Sequence, residues 1–185
     1  MQNIPCRLRC LAPQLFALVI VALLLLSVAG CAPQNPYESR IKAATPEQLA
    51  SWLMFDTRDL KDSEITEMNM CLGEIKTHLR ATGADNIEER LCVELDGKPL
   101  KWVFTEGYRL RFESLKAERQ LHIEDLKYKE RLRTKPGDTA SEDYLEHQKD
   151  LRRAQIAEFT DKINKAEARY LELLKKFAAS EQDAK

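Results

Sequence analysis

Glycine is scarce in this chain, six residues in 185, and that scarcity excludes a good deal of chemistry. There is no glycine-rich phosphate loop, no G-x-S-x-G nucleophile turn, no H-E-x-x-H zinc pair and no C-x-x-C redox pair. The three histidines, His78, His122 and His147, stand far apart at no metal-ligand spacing, and each sits among charged neighbours as a solvated helix-face residue would. The carboxylate pairs Glu88-Glu89, Glu124-Asp125 and Glu142-Asp143 are adjacent in sequence, so on a helix they diverge and do not form an acid/base couple. No catalytic residue, cofactor or metal site is expected. Aromatic residues make up only 7% and prolines number seven, whereas 32% of residues are charged, a balance that favours long charged helices over a sheet sandwich. A formal charge of −1 leaves no basic footprint for nucleic acid.

Long apolar runs are also missing, with one exception. Arg7 and Arg9 precede an unbroken apolar stretch, Leu15–Leu26, which closes on the small residues Ser27, Val28, Ala29 and Gly30 before Cys31. About a dozen apolar residues are fewer than the roughly 20 needed to span the hydrocarbon core, and no basic stop-transfer flank follows. The layout is that of a signal peptide.

Val28-Ala29-Gly30-Cys31 resembles the lipobox of bacterial prolipoproteins. The resemblance implies cleavage before Cys31, a diacylglyceryl thioether on its sulfur, an acyl chain such as palmitate on the new amino group, and, with Ala32 rather than Asp following, residence at the outer membrane facing the periplasm. Several acyl chains at about 0.8 kcal/mol per buried methylene would make such an anchor effectively irreversible. An uncleaved anchor with an incidental Cys31 is the alternative. Residues 1–30 are thus expected to be a leader and 31–44, with its prolines, Gln and Asn, a flexible lipid-anchored tether. One helical domain, 45–180, is expected to follow. Without the leader, 27 basic residues face 30 acidic ones.

Of five cysteines, Cys71 and Cys92 remain once the leader and the lipid site are set aside. In an oxidising periplasm the pair is expected to form one disulfide, worth roughly 3 kcal/mol for a loop of this size; two free buried thiols are the alternative.

Along the domain, Thr45-Pro46-Glu47-Gln48 reads as a capping box that opens a short helix carrying Leu49, Trp52 and Leu53. A second helix, capped by Asp62 or Ser63, places Ile65, Met68, Leu72, Ile75 and Leu79 on one stripe with Cys71 beside it. "DNIEERLCVEL" is expected to be a third helix, with a hairpin turning at Asp96-Gly97 as the competitor. From Thr105 to Arg133 one long helix carries two apolar stripes. One is Leu110, Ala117, Leu121, Tyr128 and Leu132; the other is Tyr108, Phe112, Leu115, Ile123 and Leu126. A turn at Lys135-Pro136-Gly137-Asp138 and a second capping box at Thr139 lead into the last helix. Its seam, Ile156, Phe159, Ile163, Ala166, Tyr170, Leu173 and Phe177, alternates spacings of three and four.

The expected fold is therefore all-α: a small disulfide-tied helical base (45–104) plus a long antiparallel coiled-coil-like helical hairpin (105–178), its middle helix covered on both sides. The cluster Trp102, Phe104, Tyr108 and Phe112 is either core or a ligand cleft. "LDGKPLKWVFTEGYRL" is similar to lipoproteins that assist envelope sensor kinases. The function expected is a non-enzymatic, membrane-tethered scaffold or docking partner for another envelope protein, with a homo-oligomer as a further possibility. A ligand-binding lipoprotein using residues 102–112 is the alternative.

Overall fold

The computed structural model describes residues 35–183, the side chains of 180–183 excepted, so the leader and Cys31 lie outside the described residues. Thr45 opens α1 (Pro46–Phe55): its hydroxyl accepts the Gln48 N–H at 3.3 Å, and Pro46 occupies a position whose N–H would have no partner. The next helix, α2 (Asp62–Ala81), is capped at Lys61, one residue ahead of the expected Asp62 or Ser63, where the Glu64 carboxylate accepts the Lys61 N–H at 3.0 Å. Asp62 and Glu64 in its first turn and His78 and Arg80 in its last complement the helix dipole.

Asn86 caps α3 (Ile87–Leu95), its side-chain oxygen accepting from the Glu89 N–H. The Asp96-Gly97 turn, with Gly97 at φ 71°, does not start a hairpin. It leads to Pro99 and into α4 (Leu100–Arg131), which begins at Leu100 rather than Thr105 because Pro99 stands at the cap and frees the helix to start at once. Gly137, at φ 85°, makes the reversal into α5 (Thr139–Asp183). Here Asp138, not Thr139, is the cap, taking the Ser141 N–H at 3.2 Å and its hydroxyl at 2.8 Å. The chain is all-α, with five α-helices and no strand among the described residues.

The expected tether is packed structure from Pro36 on. A 3-10 turn, Pro36–Glu38, buries Tyr37, and the extended stretch behind it buries Ile41 and Ala43. Backbone pairing holds this stretch to the α3–α4 turn. Ile41 donates to the Lys98 carbonyl, Gly97 to that of Ile41 and Leu100 to that of Ser39, all at 2.9 Å. The Ala43 N–H reaches the Asp96 carboxylate at 2.8 Å. A segment that reads as a polar linker is thus anchored by its main chain.

The core lies where α1, α2, α3 and the start of α4 meet: Leu49, Trp52, Met68, Leu72, Ile75, Leu79, Leu91, Leu95, Leu100, Val103 and Phe104 are all buried. At its centre α2 and α4 cross in near contact. A Cβ built on Gly107 would stand 2.3 Å from the Cys71 Cβ and 2.6 Å from its Cα, so only glycine permits this approach.

That crossing explains why the expected disulfide is absent. Cys71 and Cys92 are both free and buried. The Cys71 side chain is turned onto α4, against Gly107 and with its sulfur 3.8 Å from the Phe104 carbonyl. Cys92 instead lines a surface groove with Ala43, Ala44 and Pro46. Packing α3 on α2 brings the two helices together but not the two thiols.

Candidate functional site

Three helices converge on Glu67. From α5, the Arg169 guanidinium donates to both carboxylate oxygens, at 2.7 and 2.8 Å. From α4, the Tyr108 hydroxyl donates to one of them at 2.7 Å. One turn earlier on α2, Glu64 accepts from the Tyr37 hydroxyl and lies 3.8 Å from the Lys176 ammonium of α5. The Lys176 ammonium also lies 4.1 Å from the Tyr37 ring centroid, a cation–π distance. Beneath this polar layer the Tyr37 ring packs on Phe104 at 5.5 Å and on Phe177 at 5.2 Å. The last third of α5 is thereby clasped to α2, α4 and the N-terminal turn.

The protonation states follow from those contacts. Hydrogen bonds from Arg169 hold the Glu67 carboxyl below the ordinary carboxylate range despite its partial burial. Those from Tyr37 do the same for Glu64. Burial, then the neighbouring carboxylate, pushes both phenols upward. At neutral pH the glutamates are anions and the tyrosines neutral donors, an arrangement that holds the elements together.

Beyond this junction α4 and α5 continue as a pair. All the buried residues of α4 fall between Leu100 and Leu110. Farther out, Arg152 of α5 pairs with Asp125 and reaches the His122 ring nitrogen at 3.1 Å and Gln155 at 2.6 Å. His122, read from sequence as solvated, is half-buried against Phe159, ring centroids 5.1 Å apart. Glu130 lies 3.9 Å from Arg153, and the Thr134 hydroxyl donates to Glu142 at 3.2 Å. Partners on α5 thus come earlier in the chain as those on α4 come later, so the two helices run in opposite directions.

Of the seam residues, Ile163, Ala166, Leu173 and Phe177 are buried and Ile156, Phe159 and Tyr170 half-buried. Phe112, Leu115, Ile123 and Leu126 on α4 are half-buried as well. The second α4 stripe is a different matter. Leu110 is covered, but Ala117, Leu121 and Tyr128, and Leu132 one residue past the end of α4, are exposed; α2 stops at Ala81, which lines a groove with Ala117. The expectation of a helix covered on both sides holds for the first turns of α4 alone.

The four aromatics do not form one cleft. Phe104 is 1% exposed, and Tyr108 belongs to the Glu67 clasp. Phe112 packs under Lys116, 4.4 Å from its ring centroid, and Trp102 under Lys98 at 5.3 Å. A groove of about 450 Å³ lies elsewhere, floored by Leu49, Leu53, Leu72 and Leu91 and edged by the Lys76–Glu88 ion pair. Among the described residues no cluster of three or more His, Cys, Asp or Glu could hold a metal ion, and no helix is long and apolar enough to cross a membrane.

Glu67, Arg169, Tyr37 and Gly107 were not singled out by the sequence. Glu67 and Arg169 are 102 residues apart, and nothing local marks either as a partner. No protein-family model matches the chain, and no curated protein or solved structure is significantly similar to it.

Proposed function

We propose that the chain is a lipid-anchored envelope lipoprotein without catalysis of its own, a helical scaffold or docking partner for another envelope protein. In this reading Cys31 carries the lipid, and α4 and α5 form a coiled-coil-like hairpin that projects from the base. The observation that carries it is the free-standing outer half of that pair. Past Ala117, which still lines a groove with Ala81 at the end of α2, the cross-element partners of His122, Asp125 and Glu130 are all on α5, and at 1.5 Å per residue the arm from Glu118 to Arg131 is about 20 Å long. An arm of two helices buries little apolar surface for its length, so it adds reach and lateral surface rather than core. The alternative, a ligand-binding lipoprotein using Trp102, Phe104, Tyr108 and Phe112, has less behind it, since Phe104 is enclosed in the core and Tyr108 is engaged by Glu67.

The turn at the end of the arm is the natural first contact for a partner. A photo-crosslinking amino acid placed beside Lys135 in intact cells is expected to capture one discrete envelope protein. Reversing charge at the exposed Lys135 and Asp143, as Lys135→Glu with Asp143→Lys, is expected to abolish capture while export and helicity are unchanged. Capture that survives the reversal would rule the tip out.

A further inference from the structure

Two large apolar side chains stand in solvent at the end of α1, and we propose that they rest on the lipid surface to which the chain is tethered, docking the base on a zwitterionic phospholipid membrane. The docking rests on the lipid-anchored reading of Cys31. Met54 and Phe55 are 70% and 59% exposed. They close the run Trp52-Leu53-Met54-Phe55, of which α1 buries Trp52 and half-buries Leu53. Four consecutive apolar residues are more than one face of a helix can cover. Single exposed apolar residues are ordinary, whereas an adjacent pair at a helix end is a surface that calls for a cover.

The tether fixes what lies opposite that surface. Tyr37 donates to Glu64 in the first turn of α2, so the chain enters the base beside that turn. The connector 56–61 turns back at once, the Leu60 N–H meeting the Thr57 carbonyl at 3.0 Å, so the end of α1 lies at the same end of α2. From Cys31 to Pro36 there are five residue steps, at most about 18 Å when fully extended, whereas α2 is about 30 Å long. A lipid on Cys31 therefore holds the membrane at the Pro36 end of α2. The arm leaves from the other end, where Ala81 and Ala117 line one groove. Because α5 runs on to Asp183, about 10 Å past Lys176, the base rests on Met54, Phe55 and the end of α5 together, and the arm leans from the membrane normal.

Charge chooses the headgroup. From Asp56 to Glu64 four acidic residues stand against Arg58 and Lys61, and Lys175 and Lys176 of α5 bring the local charge to zero. A surface with no basic excess gains nothing from an anionic membrane. Phosphatidylethanolamine, with an ammonium and a phosphate in each headgroup, suits a rim of mixed sign. Two side chains entering the interface bind weakly by themselves, but the lipid already holds them there, so a weak contact suffices.

The test uses the full chain carrying its lipid, reconstituted into vesicles of phosphatidylethanolamine with a minor share of phosphatidylglycerol and a phospholipid whose photoactivatable group sits just below the headgroup. Illumination is expected to place lipid adducts on the tryptic peptide 43–58, which holds Met54 and Phe55, and none around Lys135 at the tip of the arm. Met54→Ser with Phe55→Ser is expected to cut the yield on that peptide roughly fivefold or more, with helicity and lipid unchanged. A lipidated chain with no adduct on 43–58 overturns the proposal, as does a yield indifferent to the two substitutions; both results leave the anchor standing. Adducts that form only when phosphatidylglycerol is in excess overturn it in favour of charge attraction. A chain whose mass shows no lipid overturns the anchored reading and this docking with it.

Discussion

Arg169 grips Glu67 through two hydrogen bonds, joining the last third of α5 to the middle of α2 across 102 residues of chain. The Glu67 side chain is only 15% exposed and that of Arg169 32%, so the pair is worth more than an open surface bridge and less than a fully desolvated one. Arg169→Ala is expected to cost about 1–3 kcal/mol, and a double-mutant cycle with Glu67→Gln to return a coupling of about 1–2 kcal/mol. Urea unfolding of the single and double variants measures both.

The same pair gives stability a dependence on acid. Glu67, held by Arg169, and Glu64, held by Tyr37, have folded-state values below their unfolded ones. Their contribution is therefore fully present above the unfolded carboxylate value of about 4.3 and is lost as pH falls below it. Melting temperature is expected to hold between neutrality and about pH 5 and to drop beneath about pH 4. Glu67→Gln is expected to flatten part of that drop, and an unchanged profile would show that the clasp is not its source.

Two helical glycines are expected to respond oppositely to alanine. At Gly107 the new Cβ meets Cys71 backbone and side chain at under 3 Å, and the helices must part, at a cost of about 1–3 kcal/mol or more. At Gly73, within α2, nothing lies within 4 Å, and the gain in helix propensity is expected to stabilise by about 0.5–1 kcal/mol. Thermal denaturation of Gly107→Ala and Gly73→Ala compares them directly.

The thiols make a further prediction. Burial, together with Glu67 and Glu74, pushes the Cys71 thiol up to about 12, so it carries almost no thiolate at neutral pH. Cys71 and Cys92 are expected to resist alkylation until the chain unfolds, and reducing agent is expected to leave the melting temperature unchanged. A fall corresponding to about 3 kcal/mol on reduction would reveal a bridge after all.

The helices were largely legible because their apolar spacing and caps are local: Thr45 announces α1, and Ile65 to Leu79 trace the buried face of α2. What misled were features whose meaning depends on direction in space. The separation of Cys71 from Cys92 allows a bridge but does not say that Cys71 faces α4. Residues 36–44 look like linker because their anchorage is backbone pairing to the 97–100 turn, which leaves no trace in composition. Gly107 reads as a weak spot in a helix and is in fact where two helices touch. Two apolar stripes on α4 imply two covering layers, but not how far along the helix each layer extends.

The most direct test of a membrane-tethered docking protein is the intact mass of the chain extracted from bacterial membranes. The account predicts a polypeptide beginning at Cys31, heavier than its sequence by a diacylglyceryl group and one further acyl chain. A soluble chain that retains residues 1–30 and carries no lipid would contradict it.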